Sequence, residues 1–172
     1  MTLKEIYDEH KNLVYNVALQ YVQNVKEAEE ITQDVFLSIH EKLNTFKADS
    51  SLKTWIYRIT VNKSLDLIKA RKRIKRWGIF VSTDDETKYK TNVKEFNHPG
   101  VQLEQKEAME KLFKAINELP ENQKTALILL KIDDLKMNEA AEIMEVSMKA
   151  IESLFQRAKK NLAIKLNLNE GI

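Results

Sequence analysis

Apolar residues recur at helical spacing in the first part of the chain. In residues 3–22 they stand at Ile6, Leu13, Val14, Val17, Ala18 and Tyr21, and in residues 26–43 at Ala28, Ile31, Val35, Ile39 and Leu43. This spacing predicts two amphipathic helices. Residues 44–55 then break the pattern with Asn, Asp and Ser, which indicates a loop. Ser51 or a neighbouring serine is a candidate N-cap for a third helix that begins near Leu52.

The second half of the chain repeats this organisation after an interruption. From residue 77 to about residue 100 the periodicity fades into polar residues, which predicts a linker. Helical spacing returns at Leu103, Ala108, Leu112, Ile116 and Leu119 and stops at Pro120. Residues 121–132, 138–146 and 147–166 predict three further helices. We therefore expect an all-α fold with two small helical domains, residues 1–76 and 103–168, joined by a linker at 77–102.

The composition agrees with this pattern. Three Gly and two Pro among 172 residues favour long helices with few connections, and 43% apolar residues support a buried core. The absence of Cys excludes disulfides and thiolate metal sites and fits a reducing compartment. The N-terminus lacks the apolar core of a signal peptide, and no apolar run approaches the ~20 residues of a membrane span. We expect a cytoplasmic protein without membrane insertion.

Charge is sorted along the chain although the net charge is only +2. Residues 53–76 hold nine basic residues and one acid, Asp66, whereas residues 1–52 hold five basic residues and nine acids. On a helix, one face would carry Trp55, Arg58, Asn62, Lys69, Arg73 and Arg76. Such a face suits a polyanion, and an adjacent aromatic ring can stack on an unpaired base. The alternatives are a solvated helix with Trp55 and Tyr57 in the core, or a membrane-surface helix, which the narrow apolar stripe disfavours.

The C-terminal segment has the proportions of a helix-turn-helix. Ser147 is a candidate N-cap for its second helix, whose predicted buried stripe is Ile151, Leu154, Ala158, Leu162 and Leu166. Residues 149–165 carry five basic residues and one acid. A helix with polar first turns and a basic far end can enter a major groove while it contacts phosphates. Helix pairs of this size also occur as plain packing units, so the pattern alone leaves both readings open.

The second helix has an acidic exposed side. Ile31, Val35 and Ile39 form its predicted core stripe, whereas Glu30, Gln33, Asp34 and Leu37 lie outside it. Phe36 and Leu37 beside exposed acids indicate a surface for a protein partner. An ordinary solvated face is the alternative.

These features in this order resemble bacterial RNA polymerase sigma factors. Residues 27–46 ("EAEEITQDVFLSIHEKLNTF") and 50–73 ("SSLKTWIYRITVNKSLDLIKARKR") resemble the promoter-melting domain. Residues 119–162, from "LPENQKTALILL" to "QRAKKNL", resemble the domain that reads the −35 element. Two such domains and nothing else is the layout of the extracytoplasmic-function (ECF) group. The resemblance implies a factor that binds core RNA polymerase, recognises the −10 and −35 elements and aids DNA melting.

The resemblance also implies roles for individual residues. The residues that match the motif for the clamp helices of core polymerase are Glu30, Ile31, Gln33, Asp34, Phe36 and Leu37. The residues of the loop and helix that meet the −10 element as it opens are Lys47, Asp49, Ser50, Ser51, Trp55, Tyr57, Arg58, Asn62, Lys63, Asp66, Lys69 and Arg73. The residues expected to contact the −35 element are Ser147, Lys149, Ser153, Gln156, Arg157 and Lys160.

The chain departs from the family pattern at four positions. Glu145 stands in the turn where the family often has Gly, and Lys136 stands where a capping Ser or Thr is common. Glu152 and Leu154 occupy positions that are often basic. These departures bear on the −35 sequence more than on the function.

Two other functional classes remain as alternatives. A sigma mimic would bind an anti-sigma factor as a decoy, but it should lose the basic and aromatic residues of the melting helix. A conventional helix-turn-helix regulator would leave the acidic helix without a purpose. An enzyme is not expected, because His10, His40 and His98 have no metal-ligand spacing and no phosphate loop or nucleophile elbow occurs. We expect no cofactor, metal or small-molecule substrate, and the expected partners are core polymerase, promoter DNA and an anti-sigma factor.

Overall fold

The computed structural model describes residues 2–46, 50–77 and 103–167. The chain divides into two units, Met1–Phe96 and Asn97–Ile172. In the described part of the first unit the helices are α1 (Leu3–Val22), α2 (Val25–Lys42) and α3 (Leu52–Trp77), with a 3-10 turn at Leu43–Thr45. In the second they are α4 (Leu103–Asn117), α5 (Glu121–Leu127), α6 (Met137–Met144) and α7 (Met148–Lys165), with a π turn at Ile128–Ile132. The predicted all-α fold is confirmed, whereas the linker lies outside the described residues except for Trp77, so the domain boundaries stay a prediction.

Local hydrogen bonds explain where α1 begins and ends and where α2 begins. The Thr2 hydroxyl accepts from the Glu5 amide (3.3 Å), and Glu5 Oε2 accepts from the Thr2 amide (2.8 Å), which forms a capping box. The helix ends at Gln23 in the left-handed region, at φ 52°. Asn24 Oδ1 then accepts from the Glu27 amide (3.1 Å) and caps α2. One residue therefore ends α1 and the next one starts α2.

The first unit packs its three helices around one apolar core. Its buried members are Ile6, Val14, Val17, Ala18, Tyr21 and Val22 on α1, Ala28, Ile31, Val35, Phe36 and Ile39 on α2, and Ile56, Tyr57 and Val61 on α3. The stripes predicted for α1 and α2 are confirmed, apart from Leu13 and Leu43, which are half-buried. The core face of α3 also holds Thr60 and Ser64, whose hydroxyls donate to the carbonyls of Ile56 and Thr60 at 2.8 Å. These bonds satisfy two polar groups that the core would otherwise leave unpaired.

The predicted start of α3 is confirmed in detail. The Ser51 hydroxyl oxygen lies 3.0 Å from the Thr54 amide and accepts from it, and it also lies 2.7 Å from the Thr54 hydroxyl. A serine oxygen that accepts from the third residue of a helix satisfies one of the amides left free in the first turn. The cap fixes where α3 leaves the loop, and so where its exposed face begins.

The second unit has its own core. Ile116, Leu119, Leu127, Phe155 and Ala158 form a cluster on which Leu112, Leu130 and Leu162 pack. The prediction was wrong for Ala108, which is exposed, and incomplete for α7. Phe155 is buried between the turns of Ile151 and Ala158, whereas Leu154 is only half-buried. The buried stripe of α7 is thus rotated towards Phe155.

Polar contacts also attach α7 to the rest of the unit. Asn161 Nδ2 donates to Gln123 Oε1 (2.7 Å), and Lys165 Nζ pairs with Glu118 Oε2 (3.0 Å). The partners lie at or near the start of α5 and after the end of α4. Together with the buried stripe, these contacts fix the orientation of α7 within the unit.

The turn between α6 and α7 shows how the chain replaces the glycine common in the family. Glu145 adopts the left-handed conformation, with φ 54° and ψ 42°, in which glycine is the residue without a steric cost. The Val146 amide donates to the Ala141 carbonyl (3.0 Å), and the Ser147 hydroxyl accepts from the Ala150 amide (3.2 Å). The turn geometry and the predicted Ser147 cap are therefore both present.

The start of α6 shows the second departure. Lys136 has no side-chain acceptor, and its amide instead donates to Glu139 Oε2 (2.9 Å). Only the glutamate half of a capping box is formed.

A π turn between α5 and α6 was not predicted. The Asp133 amide donates to the Ile128 carbonyl (3.0 Å), five residues back, and the Leu135 amide donates to the Leu129 carbonyl (2.9 Å). Ile128 and Leu129 are buried. The first two residues of the turn therefore stay in the core after the end of α5.

Candidate nucleic-acid and partner-binding surfaces

The exposed side of α3 carries most of the residues predicted to contact the −10 element. Asn62, Asp66, Lys69 and Arg73 are exposed, and Arg58 and Lys63 are half-buried. The face is open for more than four turns, since position 58 to position 73 spans fifteen residues at 3.6 residues per turn. We call Arg58, Asn62, Lys69 and Arg73 the basic face of α3.

Trp55 lies at the start of the basic face. Its ring is half-buried and tilted 39° against the ring of Phe46, with 5.0 Å between the centroids. Phe46 follows the 3-10 turn, so the end of the α2 segment supports the aromatic side chain. A supported and partly open ring is suited to stacking on a base.

The structure places Tyr57 and the predicted loop residues differently from the exposed side of α3. Tyr57 is only 5% exposed and belongs to the core with Ile56 and Val61, so in this structure it offers no surface to DNA. The alternative interpretation, a core tyrosine, applies to this residue, because its position on α3 is turned away from the basic face. Ser50 is half-buried and Ser51 is exposed as the cap of α3. Lys47 and Asp49 lie outside the described residues.

One basic residue of α3, Arg71, faces α2 and forms an ion pair there instead of lying on the basic face. Arg71 Nη1 lies 3.0 Å from Glu27 Oε2, and the side chains are 31% and 19% exposed. Burial raises the pKa of the Glu27 carboxyl, the positive charge of Arg71 opposes that rise, and Glu30 adds to it. The pair joins the first turn of α2 to α3. Arg71 was predicted only as one of the basic residues of this segment. Its angular position on α3, opposite Asn62, is the sequence signal that it lies away from the basic face.

The acidic surface of α2 is formed as predicted at four of its six positions. Glu30, Gln33 and Asp34 are exposed, and Leu37 is 61% exposed. Ile31 and Phe36, at 2% and 8% exposure, are buried. Both belong to the packed side of the helix, so a direct contact with a partner is not available to them in this conformation. We call Glu30, Gln33, Asp34 and Leu37 the α2 surface.

Phe36 is covered by a residue that the sequence analysis did not single out. The ring of Tyr7, on α1, meets Phe36 at 63° with 4.8 Å between centroids, which is an edge-to-face contact. Lys11 Nζ lies 5.5 Å from the centroid of the Tyr7 ring. Tyr7 nevertheless keeps 44% of its surface exposed.

The exposed side of α7 carries the residues predicted for the −35 element. Ser147, Lys149, Gln156, Arg157 and Lys160 are exposed, and Ser153 is half-buried. Two further exposed residues were not predicted as contacts, Met148 (51% exposed) and Glu152. Met148 is the first residue of the helix and Glu152 follows one turn later, so both lie beside the polar face.

The described residues hold no arrangement for a metal ion or a membrane span. Across residues 2–46, 50–77 and 103–167, no group of three or more His, Asp or Glu side chains is placed to hold a metal. In the same ranges, no helix is both long and apolar enough to cross a membrane.

The helices of the two units define the class of protein. The first unit presents a basic helix beside an acidic one, and the second presents a capped, basic helix after a tight turn. This is an all-helical protein with two units, each offering a helix suited to nucleic acid.

Comparison with known proteins identifies the family. Residues 6–74 match Sigma-70 region 2, and residues 109–162 match Sigma-70 region 4. The chain is 28% identical over 158 residues to the RNA polymerase sigma factor SigV of Bacillus subtilis, covering 92% of this chain and 87% of SigV. It is also 28% identical over 172 residues to the ECF RNA polymerase sigma factor SigM of the same organism, covering 100% and 98%.

A solved structure has a similar fold. The sigma factor RpoE of Bartonella quintana, in complex with the anti-sigma factor NepR, aligns with a TM-score of 0.70 at 20% identity, covering 97% of this chain and 98% of RpoE. The chain belongs to the ECF group of RNA polymerase sigma factors. It is a promoter-specific transcription initiation factor that acts with core RNA polymerase, and it is not an enzyme.

Proposed function

We propose that three separate surfaces divide the work of transcription initiation in this protein. The α2 surface contacts the clamp helices of core polymerase. The basic face of α3, with Trp55, contacts the −10 element as it opens. The exposed side of α7 contacts the −35 element in the major groove.

The observation that carries the proposal is the segregation of charge on adjacent helices of one unit. Glu30 and Asp34 are exposed on α2, whereas Lys69 and Arg73 are exposed on α3. Acidic side chains repel the phosphate backbone, and basic side chains bind it with release of counterions. The acidic helix is therefore assigned to a protein partner and the basic helix to DNA.

The −10 contact requires both charge and stacking. Opening the duplex unstacks bases at a cost of a few kcal/mol each. The partly open ring of Trp55 against Phe46 offers a stacking platform, and Arg58 and Asn62 follow it along the same face. Lys69 and Arg73 continue the same face, which Lys63 and Asp66 border. The loop residues Lys47, Asp49, Ser50 and Ser51 remain proposed contacts at its start.

The −35 contact uses the first turns of α7. Lys149, Gln156 and Arg157 are exposed on the side opposite Ile151 and Ala158, and Ser147, Ser153 and Lys160 complete the proposed set. Arginine, lysine and glutamine side chains bind guanine and adenine edges in the major groove. Glu152 on the flank of this side makes the readout differ from that of relatives with a basic residue there.

We also propose an anti-sigma factor as a partner and the cytoplasm as the place of action. RpoE of Bartonella quintana was solved with an anti-sigma factor, which supports a partner of the same class for a chain of this fold. Transcription takes place where core polymerase and DNA are, which supports the cytoplasm as the place of action.

The test separates the two interfaces of the first unit. Asn62→Ala should weaken promoter opening and leave binding to core polymerase unchanged, because Asn62 is exposed on the basic face. Asp34→Lys should reduce core affinity about tenfold or more by placing a like charge against a basic partner. Core affinity is measured by titration of labelled protein, and opening by permanganate reactivity of unpaired thymines. A genomic fragment pool transcribed with core polymerase identifies the promoter through its new 5′ ends.

Matched variants control for the substitutions themselves. Asn16→Ala removes an exposed asparagine from α1, and Glu9→Lys reverses an exposed acid on α1, away from the α2 surface. Both should behave as wild type. If Asn62→Ala abolishes core binding, or if Asp34→Lys keeps wild-type core affinity, the assignment of faces is wrong. Core binding without any new transcript start would indicate a sigma mimic instead.

A further inference from the structure

Glu152 is the only acidic residue of α7, the basic second helix of the helix-turn-helix. Residues 149–165 hold five basic residues and this one acid. Glu152 is exposed and lies one turn after Met148, the first residue of the helix. A carboxylate repels the phosphate backbone of DNA. The position of Glu152 on α7 therefore decides whether it weakens DNA binding or contacts a base.

The angular position of Glu152 puts it next to two proposed base contacts. At about 100° per residue, it lies about 40° from Gln156 and about 60° from Lys149 around the axis of α7. Both neighbours are exposed and belong to the side of α7 that we assign to the major groove. Ile151 and Phe155 are buried and hold the helix against its unit. Glu152 therefore reaches the same groove as Lys149 and Gln156 when α7 enters it.

The carboxylate of Glu152 has no partner within residues 103–167, the part of its unit that the structure describes. No hydrogen bond or ion pair there involves it, although Lys149 stands three residues earlier, at a spacing that pairs charges on a helix. Lys159, on the same side of α7, instead holds its ammonium 5.0 Å from the centroid of the Phe155 ring. Both oxygens of the carboxylate are thus open to accept from a ligand.

The base edges of the major groove offer one good match for such a carboxylate. Cytosine presents its N4 amino group there as a donor, and a glutamate accepts from it. Adenine also presents a donor, at N6, but its N7 acceptor beside that group would face the second carboxylate oxygen. Guanine presents acceptors, and thymine presents an acceptor and a methyl group. The chemistry of the groove therefore selects cytosine.

We infer that Glu152 is a specificity-determining residue that accepts a hydrogen bond from the N4 amino group of a cytosine in the −35 element. The inference rests on the proposed contact of α7 with that element. The carboxylate also disfavours guanine and thymine at the same position, because their acceptors would face its negative oxygens. Glu152 thus contributes to specificity by rejecting the wrong bases as well as by binding the right one.

The test measures the base preferences of Glu152 variants. Protein assembled with core polymerase transcribes templates in which each −35 base pair is varied in turn, starting from a promoter identified by its new 5′ ends. Wild-type protein should prefer cytosine at one position, and Glu152→Ala should reduce that preference about fivefold or more. Glu152→Gln should move the preference to adenine, because a glutamine amide binds both N6 and N7 of adenine.

Glu142→Gln is the matched control for the loss of charge. It removes an exposed acid from α6, in the same unit, and should leave every base preference unchanged. Because Glu152 is exposed, both of its variants should keep the melting temperature of the wild type. Arg157→Ala tests the proposed −35 contact of α7 separately from Glu152.

The outcomes separate this inference from the proposed function. If Arg157→Ala changes the −35 preferences while both Glu152 variants keep those of the wild type, α7 reads the element without Glu152 and the inference is overturned. If the Glu152 variants raise transcription from all templates by the same factor, Glu152 only repels phosphates and the inference also fails. If no variant of α7 alters any preference, the proposed −35 contact itself fails, and the inference with it. A change from cytosine to adenine at a single base pair in Glu152→Gln would support direct contact, since a structural role would affect all positions alike.

Discussion

At the scale of single residues, Gln23 combines two unfavourable features. Its backbone adopts the left-handed conformation (φ 52°, ψ 33°), in which a side chain beyond Cβ is disfavoured. Its Nε2 atom is buried without a hydrogen-bond partner among the described residues. Both features arise because α1 ends and α2 begins within two residues.

We predict that Gln23→Gly stabilises the first unit. Glycine relieves the backbone cost and removes the buried amide, and we expect the free energy of unfolding to rise by about 1 kcal/mol. The measurement is urea unfolding followed by tryptophan fluorescence, since both tryptophans of the chain, Trp55 and Trp77, lie on α3 and report on this unit alone. Gln23→Ala keeps the backbone cost and removes only the amide, so it should gain less than Gln23→Gly. Equal stability of the glycine variant and the wild type would contradict this account.

The residue scale also shows what the sequence alone could not predict. Helical periodicity predicted Ile31 as a core residue, whereas the family resemblance implied that it contacts core polymerase. The packing of the helices buries it. Phe36 and Leu37 look alike in the sequence, yet Phe36 is covered by Tyr7, which is 29 positions away. Tyr57 is turned to the core by its angular position on α3. A long-range neighbour is invisible to local patterns, because those patterns record only which side of one helix a residue occupies.

At the scale of elements, Glu27 and Arg71 join α2 to α3 with one hydrogen-bonded ion pair (3.0 Å). The raised pKa of Glu27 means that the folded state binds a proton at this carboxyl more tightly than the unfolded state does. The resulting contribution to stability is complete below the ordinary glutamate pKa of about 4.3 and is lost as pH rises through the raised pKa of the folded state.

We predict that the stability of Glu27→Gln, measured as its free energy of unfolding, increases relative to that of the wild type as pH rises. Glutamine keeps an acceptor for Arg71 and does not ionise, so the variant should stay within about 1 kcal/mol of the wild type at pH 7. The difference in free energy of unfolding should shift in favour of the wild type as pH falls from 7 to about 4. Urea unfolding of both proteins across this range measures it, with Glu29→Gln, an exposed acid on the same helix, as the control. A difference that does not change with pH would show that Glu27 has an ordinary pKa.

The elements themselves were largely predictable. The start of α3 at Ser51 and the start of α7 at Ser147 follow from side chains that cap helices locally. The 3-10 turn at Leu43–Thr45 and the π turn at Ile128–Ile132 were missed. Each turn continues a helix with hydrogen bonds that reach back three or five residues instead of four. Which of these spacings the chain adopts depends on how the following segment packs rather than on residue type.

At the scale of the whole molecule, basic residues are concentrated at two places, residues 53–76 and 149–165. The proposed contacts of both units are to one promoter. If both touch phosphates in the same complex, the counterions released by each should add, since log affinity depends on the sum of the contacts.

We predict that Arg73→Gln and Lys160→Gln reduce the salt dependence of promoter binding additively. Each should lower the slope of log affinity against log salt concentration by about 0.9, and the double variant by about 1.8. The measurement uses protein assembled with core polymerase on its promoter at several salt concentrations. Lys4→Gln, at an exposed residue in the acidic part of the chain, should leave the slope unchanged. An unchanged slope for Lys160→Gln would remove α7 from the phosphate contacts.

The π turn between α5 and α6 holds one residue more than an α-helix would over the same length. A hydrogen bond that reaches five residues back, from Asp133 to Ile128, accommodates one residue more per turn than the α-helical step does. Deleting one residue within positions 128–132 would therefore restore the ordinary step and leave Ala140, Ala141 and Ile143 in the core. The same deletion inside α6 or α7 would rotate the residues that follow by about 100° and turn their apolar side chains out of the core. Changes of one residue in length should therefore be tolerated better at positions 128–132 than within α6 or α7, and an alignment with relatives that misses such a change here would assign each proposed contact on α7 to the wrong side chain.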